Sequence, residues 1–154
     1  MTNRKIITGY TTGIYDLFHI GHLNVLRFAK SKCDRLIVGV TTDELALNLK
    51  GKYPIIPFVE RLEIIQSIKF VDLAVPENID DKINAWEFYR YDYIFKGDDW
   101  KGTEKWNLLE AEFSKIGVKV VFTPYTKNTS STIIRQILDV KLIKENGIYN
   151  LKVI

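Results

Sequence analysis

Two histidines three residues apart, His19 and His22, with Gly21 between them, carry the clearest chemical signal in this chain. They follow an apolar run that predicts a strand and precede an amphipathic run, so they stand at a predicted helix start. The first N–H groups of a helix have no partners within it and carry partial positive charge. Two imidazoles beside those groups would form a compact anion site, and we predict that it binds a nucleotide triphosphate.

The elements that must position this site follow from the alternation of apolar patterns. Short apolar runs predict strands over residues 5–12, 35–41, 71–75, 93–96 and 118–122, the third of them ended by Pro76. Helix-period runs predict helices over residues 20–32, 58–68, 80–89, 103–116 and 132–139, with a further helix start at residues 42–44. This alternation predicts a Rossmann-like α/β fold with a five-stranded parallel sheet and helices on both faces.

The domain predicted from these elements covers residues 1–139. Residues 140–154 form a tail whose role the sequence leaves open between a hairpin, an arm and a partner contact.

Ligands of such sheets bind beyond the carboxyl ends of the strands, where the strand order reverses. Three polar, irregular segments follow strands and so fall at that edge: residues 12–22, 97–100 and 124–132. The last of them ends in Thr129, Ser130 and Ser131, an N-cap signal whose hydroxyl and N–H groups suit a phosphate. The sequence therefore predicts one site that is built from three segments.

The bulk composition excludes some partners. The 154 residues suit one domain, and 22 basic against 19 acidic residues give a net charge of only +3, which does not argue for nucleic acid. Cys33 is the only cysteine, so no intrachain disulfide can form, as is typical of a reducing compartment. The sequence shows no signal segment and no apolar run long enough to cross a membrane. We therefore expect a cytoplasmic protein that has no membrane partner.

The segment His19-Ile20-Gly21-His22 resembles the H-x-G-H motif of a nucleotidyltransferase superfamily. Ser130-Ser131-Thr132-Ile133-Ile134-Arg135 resembles the Ser/Thr-rich helix start with a basic residue that is its second mark. Within the superfamily, the chain is most similar to the bacterial glycerol-3-phosphate cytidylyltransferases. The likeness spans roughly residues 5–138 and includes further matches in order: Tyr15-Asp16-Leu17, Thr42-Asp43-Glu44, Glu60-Arg61, Phe70-Val71-Asp72 and Gly97-Asp98-Asp99-Trp100.

This resemblance implies an enzyme that transfers a cytidylyl group from CTP to a small phospho-alcohol, with glycerol 3-phosphate as the first candidate. The products would be a CDP-alcohol for capsule or teichoic acid synthesis and pyrophosphate. The attacking phosphate oxygen is already an anion, so the protein needs to align two polyanions and stabilise negative charge rather than supply a strong base. The resemblance also implies Mg²⁺ bound with CTP, and a homodimer.

The resemblance assigns roles to individual residues. Catalysis would fall to four residues that contact the phosphates: His19, His22, Lys52 and Arg135. Nucleotide binding would fall to residues around the two motifs and after the fourth strand: Gly13, Ile14, Tyr15, Asp16, Gly21, Asp98, Trp100, Tyr125, Thr126, Lys127, Thr129, Ser130, Ser131 and Thr132. The acceptor would contact four basic residues: Lys50, Arg61, Lys69 and Lys82. No metal ligand from the protein is predicted.

One segment departs from the family pattern, because Tyr125-Thr126-Lys127-Asn128 stands where the family usually has Arg-Thr-Glu-Gly. Asn128 can adopt the left-handed backbone that the glycine would allow. Whether the point charge of Lys127 replaces the planar guanidinium of the missing arginine stays open.

The resemblance leaves several functions to be separated. The acceptor could be a different polyol, amino-alcohol or amino-acid-derived phosphate. The protein could also be an adenylyltransferase of the same superfamily that uses ATP, or a catalytically silent nucleotide-binding regulatory protein.

Overall fold

The computed structural model describes residues 3–145 and 148–151, with side chains up to residue 138. Five strands form one parallel sheet in the order β3-β2-β1-β4-β5. Their bounds are Thr8–Gly13 (β1), Arg35–Thr41 (β2), Leu73–Glu77 (β3), Tyr93–Gly97 (β4) and Lys119–Thr123 (β5). The order reverses at β1, which pairs with β2 on one side and β4 on the other, so the carboxyl end of β1 is the switch point.

Six helices connect or follow these strands: Ile20–Lys32 (α1), Asp43–Lys50 (α2), Phe58–Gln66 (α3), Lys82–Tyr89 (α4), Glu104–Lys115 (α5) and Ser131–Lys141 (α6). Two short strands, Leu142–Glu145 (β6) and Ile148–Leu151 (β7), pair antiparallel within the predicted tail. The last helix therefore continues past its predicted end at residue 139. In the part of the chain that the structure describes, no helix is long and apolar enough to cross a membrane.

The helices cover both faces of the sheet, as the sequence predicts. On one face, Leu26 of α1 and Ile65 of α3 are fully buried against β2 and Phe95 of β4. On the other face, Trp106 and Phe113 of α5 pack against the alternate side chains of β1 and β4. The predicted Rossmann-like class with its five-stranded parallel sheet is thereby confirmed.

The predicted end of the third strand at Pro76 is wrong, because β3 continues through Pro76 to Glu77. Strand β3 lies at the edge of the sheet. Proline has no N–H group to donate to a neighbouring strand, and one side of an edge strand needs no such donor. The continuation matters for the site, since it brings the buried Glu77 level with Thr41 at the carboxyl end of β2.

Arg61 of α3 connects three segments in the interior. Its Nε donates to the carbonyl of Ile56 at 2.8 Å, and its terminal nitrogens bond the carbonyls of Ile14 and Thr41 and the carboxylate of Asp43. The side chain is fully buried, and its donors are occupied by the protein. The acceptor contact predicted for Arg61 is therefore corrected: this guanidinium fixes the loops that follow β1 and β2 and points away from open space.

Replacing Arg61 with methionine should lower the free energy of unfolding by about 3 kcal/mol or more, because it leaves carbonyls and the Asp43 carboxylate without their buried partner. Chemical denaturation monitored by circular dichroism measures this change. The matched control is Arg27→Met on the exposed face of α1, which should shift stability by no more than about 0.5 kcal/mol. Equal midpoints for both variants would contradict the structural role of Arg61.

Candidate active site

A cleft lies at the carboxyl edge of the sheet and divides into two adjoining compartments. The histidine compartment, about 330 Å³, is lined by the start of α1 and by residues 123–126 and 129–131. The lysine compartment, about 590 Å³, is lined by the ends of β2 and β3 and by basic residues that include Lys50, Lys52 and Lys82. The end of β1, with His22 and Trp100, lines both compartments, so ligands in the two would meet at the switch point.

The two histidines cap α1 through their own backbone. Nδ1 of His19 accepts from the N–H of Gly21 at 3.0 Å, and Nδ1 of His22 accepts from the N–H of His19 at 3.3 Å. An imidazole nitrogen that accepts a hydrogen bond carries no proton, so these bonds assign the N–H of both rings to Nε2. Each histidine thus keeps one outward donor for a ligand.

Burial keeps both histidines neutral. Desolvation and, to a smaller extent, the neighbouring His19 lower the pKa of His22 to about 3, although the carboxylate of Asp16 acts in the opposite direction. Desolvation also lowers the pKa of His19. The two rings stack with centroids 3.9 Å apart, an approach that is favourable for neutral rings and repulsive for two cations.

Gly21 is required between the histidines for a steric reason. A Cβ at this position would lie 2.8 Å from Cε1 of the His19 ring, closer than van der Waals contact allows. The ring would have to leave the position in which it caps the helix. The spacing of the motif is therefore set by the packing of His19 over the backbone of Gly21.

The turn that leads from β1 into α1 is strained. Tyr15 and Leu17 both have left-handed backbone, with φ of 57° and 51°, which costs about 1 kcal/mol or more for a residue with a side chain. Between them, the carboxylate of Asp16 accepts from the N–H groups of Ile55 and Ile56, each at 2.8 Å. The buried carboxylate also pairs with Arg135 of α6.

The N-terminus of α6 is held against the same turn. Ser130 caps the helix through a 3.2 Å bond from the N–H of Ile133, and Ser131 Oγ donates to the carbonyl of Asp16 at 2.7 Å. The start of α6 therefore lies beside the cleft that the histidines also line, and its first N–H groups are further donors for an anion.

Residues 10–137 match the cytidylyltransferase-like family. The chain belongs to this family. It is 36% identical over 134 residues to the glycerol-3-phosphate cytidylyltransferase of Bacillus spizizenii (86% of this chain and 95% of the relative), and 35% identical over 127 residues to that of Staphylococcus aureus (82% and 90%). A crystal structure of a lipopolysaccharide core biosynthesis protein from Thermoplasma volcanium superposes with a TM-score of 0.68 at 31% identity, covering 81% of this chain and all of the other.

Most residues that the resemblance assigned to the site line the cleft of this cytidylyltransferase-like protein. Four line both compartments beside His22 and Trp100: Gly13, Ile14, Tyr15 and Ser131. The histidine compartment adds His19, Gly21, Tyr125, Thr126, Thr129 and Ser130. The lysine compartment adds Asp16, Lys50, Lys52, Lys82, Thr132 and Arg135. Asp16 contributes mainly by holding Arg135 and the adjoining loops, since both of its carboxylate oxygens are already bonded.

Three further predicted residues lie outside both compartments. Asp98 is exposed while its neighbour Asp99 lines the histidine compartment, because residues 98–100 form a 3₁₀ turn in which successive side chains point in different directions. Lys69 precedes β3 and so lies near the amino ends of the strands, away from the cleft. Its Nζ is 5.2 Å from the ring centroid of Phe70. Lys127 is exposed, although the neighbouring Asn128 has the left-handed backbone that was predicted, with a φ of 79°.

Sequence reasoning missed a charged network in the lysine compartment. Glu77 accepts from Thr41 Oγ1 at 2.8 Å and pairs with Lys82, while Asp80 pairs with Lys82 at 2.8 Å and with Lys105 at 2.6 Å. Lys96 also faces the cleft. Its place in the sequence could have indicated this, because it lies near the carboxyl end of the strand beside the switch point.

The protonation of the histidines can be tested directly, because the chain contains only two. In ¹³C-resolved NMR, the Cε1–H signals of native protein should titrate below the ordinary midpoint near 6.5, with His22 well below it. A folded pKa that is lowered means that the unfolded chain takes up the proton first, so this contribution to stability is present above pH ~6.5 and is lost as the pH falls toward ~3. The denatured chain is the control. A native midpoint for His22 at or above 6.5 would contradict the assignment of a neutral ring.

Proposed function

We propose that the protein transfers the cytidylyl group of CTP to the phosphate of a small phospho-alcohol, forming a CDP-alcohol and releasing pyrophosphate. The observation that carries the proposal is the pair of neutral imidazoles with outward Nε2–H groups, set in one cleft with the start of α6, Lys52 and Arg135. Membership of the family and the names of its relatives support the choice of nucleotide and acceptor class.

The reaction needs charge stabilisation more than proton transfer. An oxygen of the acceptor phosphate forms a bond to the α-phosphorus of CTP, and the bond from that phosphorus to the bridging oxygen of the pyrophosphate breaks. Negative charge builds on the α-phosphoryl oxygens and on the leaving group. Oriented N–H donors from the imidazoles and from the start of α6 would stabilise it without reorganising.

The two compartments suit the two substrates. In this proposal CTP occupies the histidine compartment, where its phosphates reach the starts of α1 and α6, and the acceptor occupies the lysine compartment. His22 and the end of β1, which line both compartments, would then lie at the reacting atoms. Fixing two polyanions side by side lowers the barrier by removing the entropy cost of their encounter.

Magnesium is part of the proposal as a companion of the nucleotide. Among the described residues, no group of three or more histidine, cysteine, aspartate or glutamate side chains could hold a metal ion. Mg²⁺ commonly keeps several waters and binds through substrate phosphates, and that mode fits a cleft whose contribution is basic side chains and N–H groups. The ion would neutralise charge on the leaving phosphates.

The wider setting is also proposed. A cytoplasmic location is supported by the single cysteine, which is typical of a reducing compartment. A homodimer follows from the resemblance to the family. The relatives named for glycerol 3-phosphate support a product that feeds a cell-surface polymer such as a capsule or teichoic acid.

Pyrophosphate release from CTP with a panel of phosphorylated acceptors tests the proposal. The panel includes polyol, amino-alcohol and amino-acid-derived phosphates, and the matched arm replaces CTP with ATP. Turnover with CTP and at least one acceptor is expected. Turnover with ATP alone would make the protein an adenylyltransferase, and binding of CTP without turnover would make it a regulatory protein; either result overturns the proposal.

The histidines should each carry a large part of the rate. His19→Ala and His22→Ala are expected to lower kcat by roughly a hundredfold or more, since each removes an oriented donor to a developing negative charge. Steady-state kinetics with thermal unfolding as a fold check measures this. Arg27→Ala, on the exposed face of the same helix, should leave kcat unchanged. Near-native kcat in a folded histidine variant would remove that residue from the mechanism.

A further inference from the structure

Lys96 is a cation of the cleft whose role the proposed function leaves unassigned. It is the penultimate residue of β4, is half-buried, and lines both compartments. Its Nζ lies 4.6 Å from the ring centroid of Trp100 and 5.6 Å from that of Trp106. Its carbonyl accepts from Thr123 Oγ1, but its ammonium forms no hydrogen bond or ion pair with any residue that the structure describes.

The neighbouring lysines of the same compartment are neutralised. Lys82 pairs with Glu77 and Asp80, and Lys105 pairs with Asp80. Both carboxylates of this network are therefore committed before a ligand arrives. The ammonium of Lys96 lies above two indole faces, which attract a cation but accept no conventional hydrogen bond. Its three N–H donors are left for a ligand or for water.

An ammonium held in this way costs free energy until an anion binds it. Desolvation and, to a smaller extent, the nearby charge of Lys82 lower the pKa of Lys96 to about 8. A perturbed group without a structural partner in a cleft is typical of a binding site. The side chains that line the lysine compartment include six bases and three acids, so the compartment as a whole favours a ligand with several negative charges.

Lys96 comes from a different part of the sheet than Lys50 and Lys52, the lysines that suit the acceptor phosphate. Lys50 and Lys52 come from the chain that follows β2, on one side of β1, whereas Lys96 comes from β4 on the other side. The indole of Trp100 is close to a lysine from each side, since Nζ of Lys50 lies 5.9 Å and Nζ of Lys96 lies 4.6 Å from its ring centroid. An acceptor whose phosphate engages Lys50 and Lys52 would present its other end to Lys96.

We infer that Lys96 binds a second anionic group of the acceptor, a carboxylate, so that the preferred acceptor is a phosphorylated hydroxy acid and not a phosphorylated neutral polyol. This inference rests on the proposed cytidylyl transfer and narrows the class of its acceptor. Lys96 acts here as a specificity-determining residue. The carboxylate of the ligand forms an ion pair with Lys96. The indole rings pack against the carbon chain of the ligand.

Two acceptors that differ in one group test the inference. Glycerol 3-phosphate and 3-phosphoglycerate share their phosphate and secondary hydroxyl, and a carboxylate replaces the terminal hydroxymethyl group in the second. With CTP at saturation, kcat/KM should be higher for phosphoglycerate. Lys96→Met should raise KM for phosphoglycerate roughly tenfold or more, the usual effect of losing a hydrogen bond to a charged group, and leave KM for glycerol phosphate and for CTP unchanged.

Two further variants make the result specific. Lys96→Arg keeps the charge and should keep the preference for phosphoglycerate. Lys101→Met removes an exposed lysine from the same loop, outside both compartments, and should change neither acceptor. The inference is overturned if wild-type protein shows no preference for the carboxylate, or if Lys96→Met weakens both acceptors equally or weakens CTP instead.

The pH dependence gives an independent readout. Lys96 must be protonated to bind an anion, so kcat/KM for phosphoglycerate should fall as the pH rises through about 8. Phosphate monoesters ionise near pH 6, below this range. Lys96→Met should remove the alkaline fall and Lys96→Arg should move it upward. Charged groups on the surrounding elements that face Lys96 are Glu77, Lys82, Asp99 and Lys105.

A binding measurement separates this inference from the proposed function. Isothermal titration calorimetry of 3-phosphoglycerate, with a non-hydrolysable CTP analogue present, needs no turnover. Tighter binding to wild-type protein than to Lys96→Met supports the carboxylate contact even if the enzymatic assay fails, whereas equal affinities overturn it. Turnover of CTP with glycerol phosphate and no carboxylate preference would leave the proposed function standing and reject the acceptor class.

Discussion

The buried carboxylate of Asp16 is the interaction on which the rest of the site depends. Its two oxygens accept from the N–H groups of Ile55 and Ile56 and pair with Arg135, while its own carbonyl accepts from Ser131. Three segments far apart in sequence, after β1, after α2 and at the start of α6, are joined at this one side chain. Because the carboxylate is buried, losing any partner would leave part of a charge unsatisfied, so the segments are held together as a unit.

This connection explains how a strained turn can precede the histidine motif. Tyr15 and Leu17 adopt left-handed backbone that side chains disfavour, and such strain persists only where surrounding bonds determine the conformation. Asp16 supplies those bonds between the two strained residues. The turn in turn directs the chain into α1 so that His19 caps the helix over Gly21. The geometry of the histidine pair is thus a consequence of contacts made by residues that precede it.

How far the site could be predicted depended on whether a residue acts through local pattern or through tertiary partners. The strand–turn–helix order and the N-cap hydroxyls are local, and the positions of His19, Gly21 and Ser131 followed from them. Arg61 carries the same local pattern whether it binds a ligand or the backbone, and only the fold shows that its partners are carbonyls of other loops. Asp98 and Asp99 differ only in the direction that a 3₁₀ turn gives each side chain, which composition does not encode.

Lys96 and Pro76 show a second reason why sequence reasoning falls short, namely that strand position within the sheet is not a local property. Pro76 ends a central strand but is tolerated in an edge strand, and β3 is at the edge. Lys96 in a strand normally indicates a solvated face, yet β4 adjoins β1 at the switch point and the same residue faces the cleft. Predicting either outcome requires the order of the strands in the sheet, which the sequence of a single strand does not specify.

The distribution of charge in the cleft suits the negatively charged ligands of the proposed function. Histidines held neutral donate hydrogen bonds without adding cations that would repel one another at 3.9 Å. Positive charge is placed instead on lysines and Arg135, and much of it is balanced by Glu77, Asp80 and Asp16. Balanced pairs fix positions, whereas cations without a partner are stabilised only by a bound anion. In this protein, the distribution of partnered and unpartnered cations therefore indicates where a bound anion would be stabilised most.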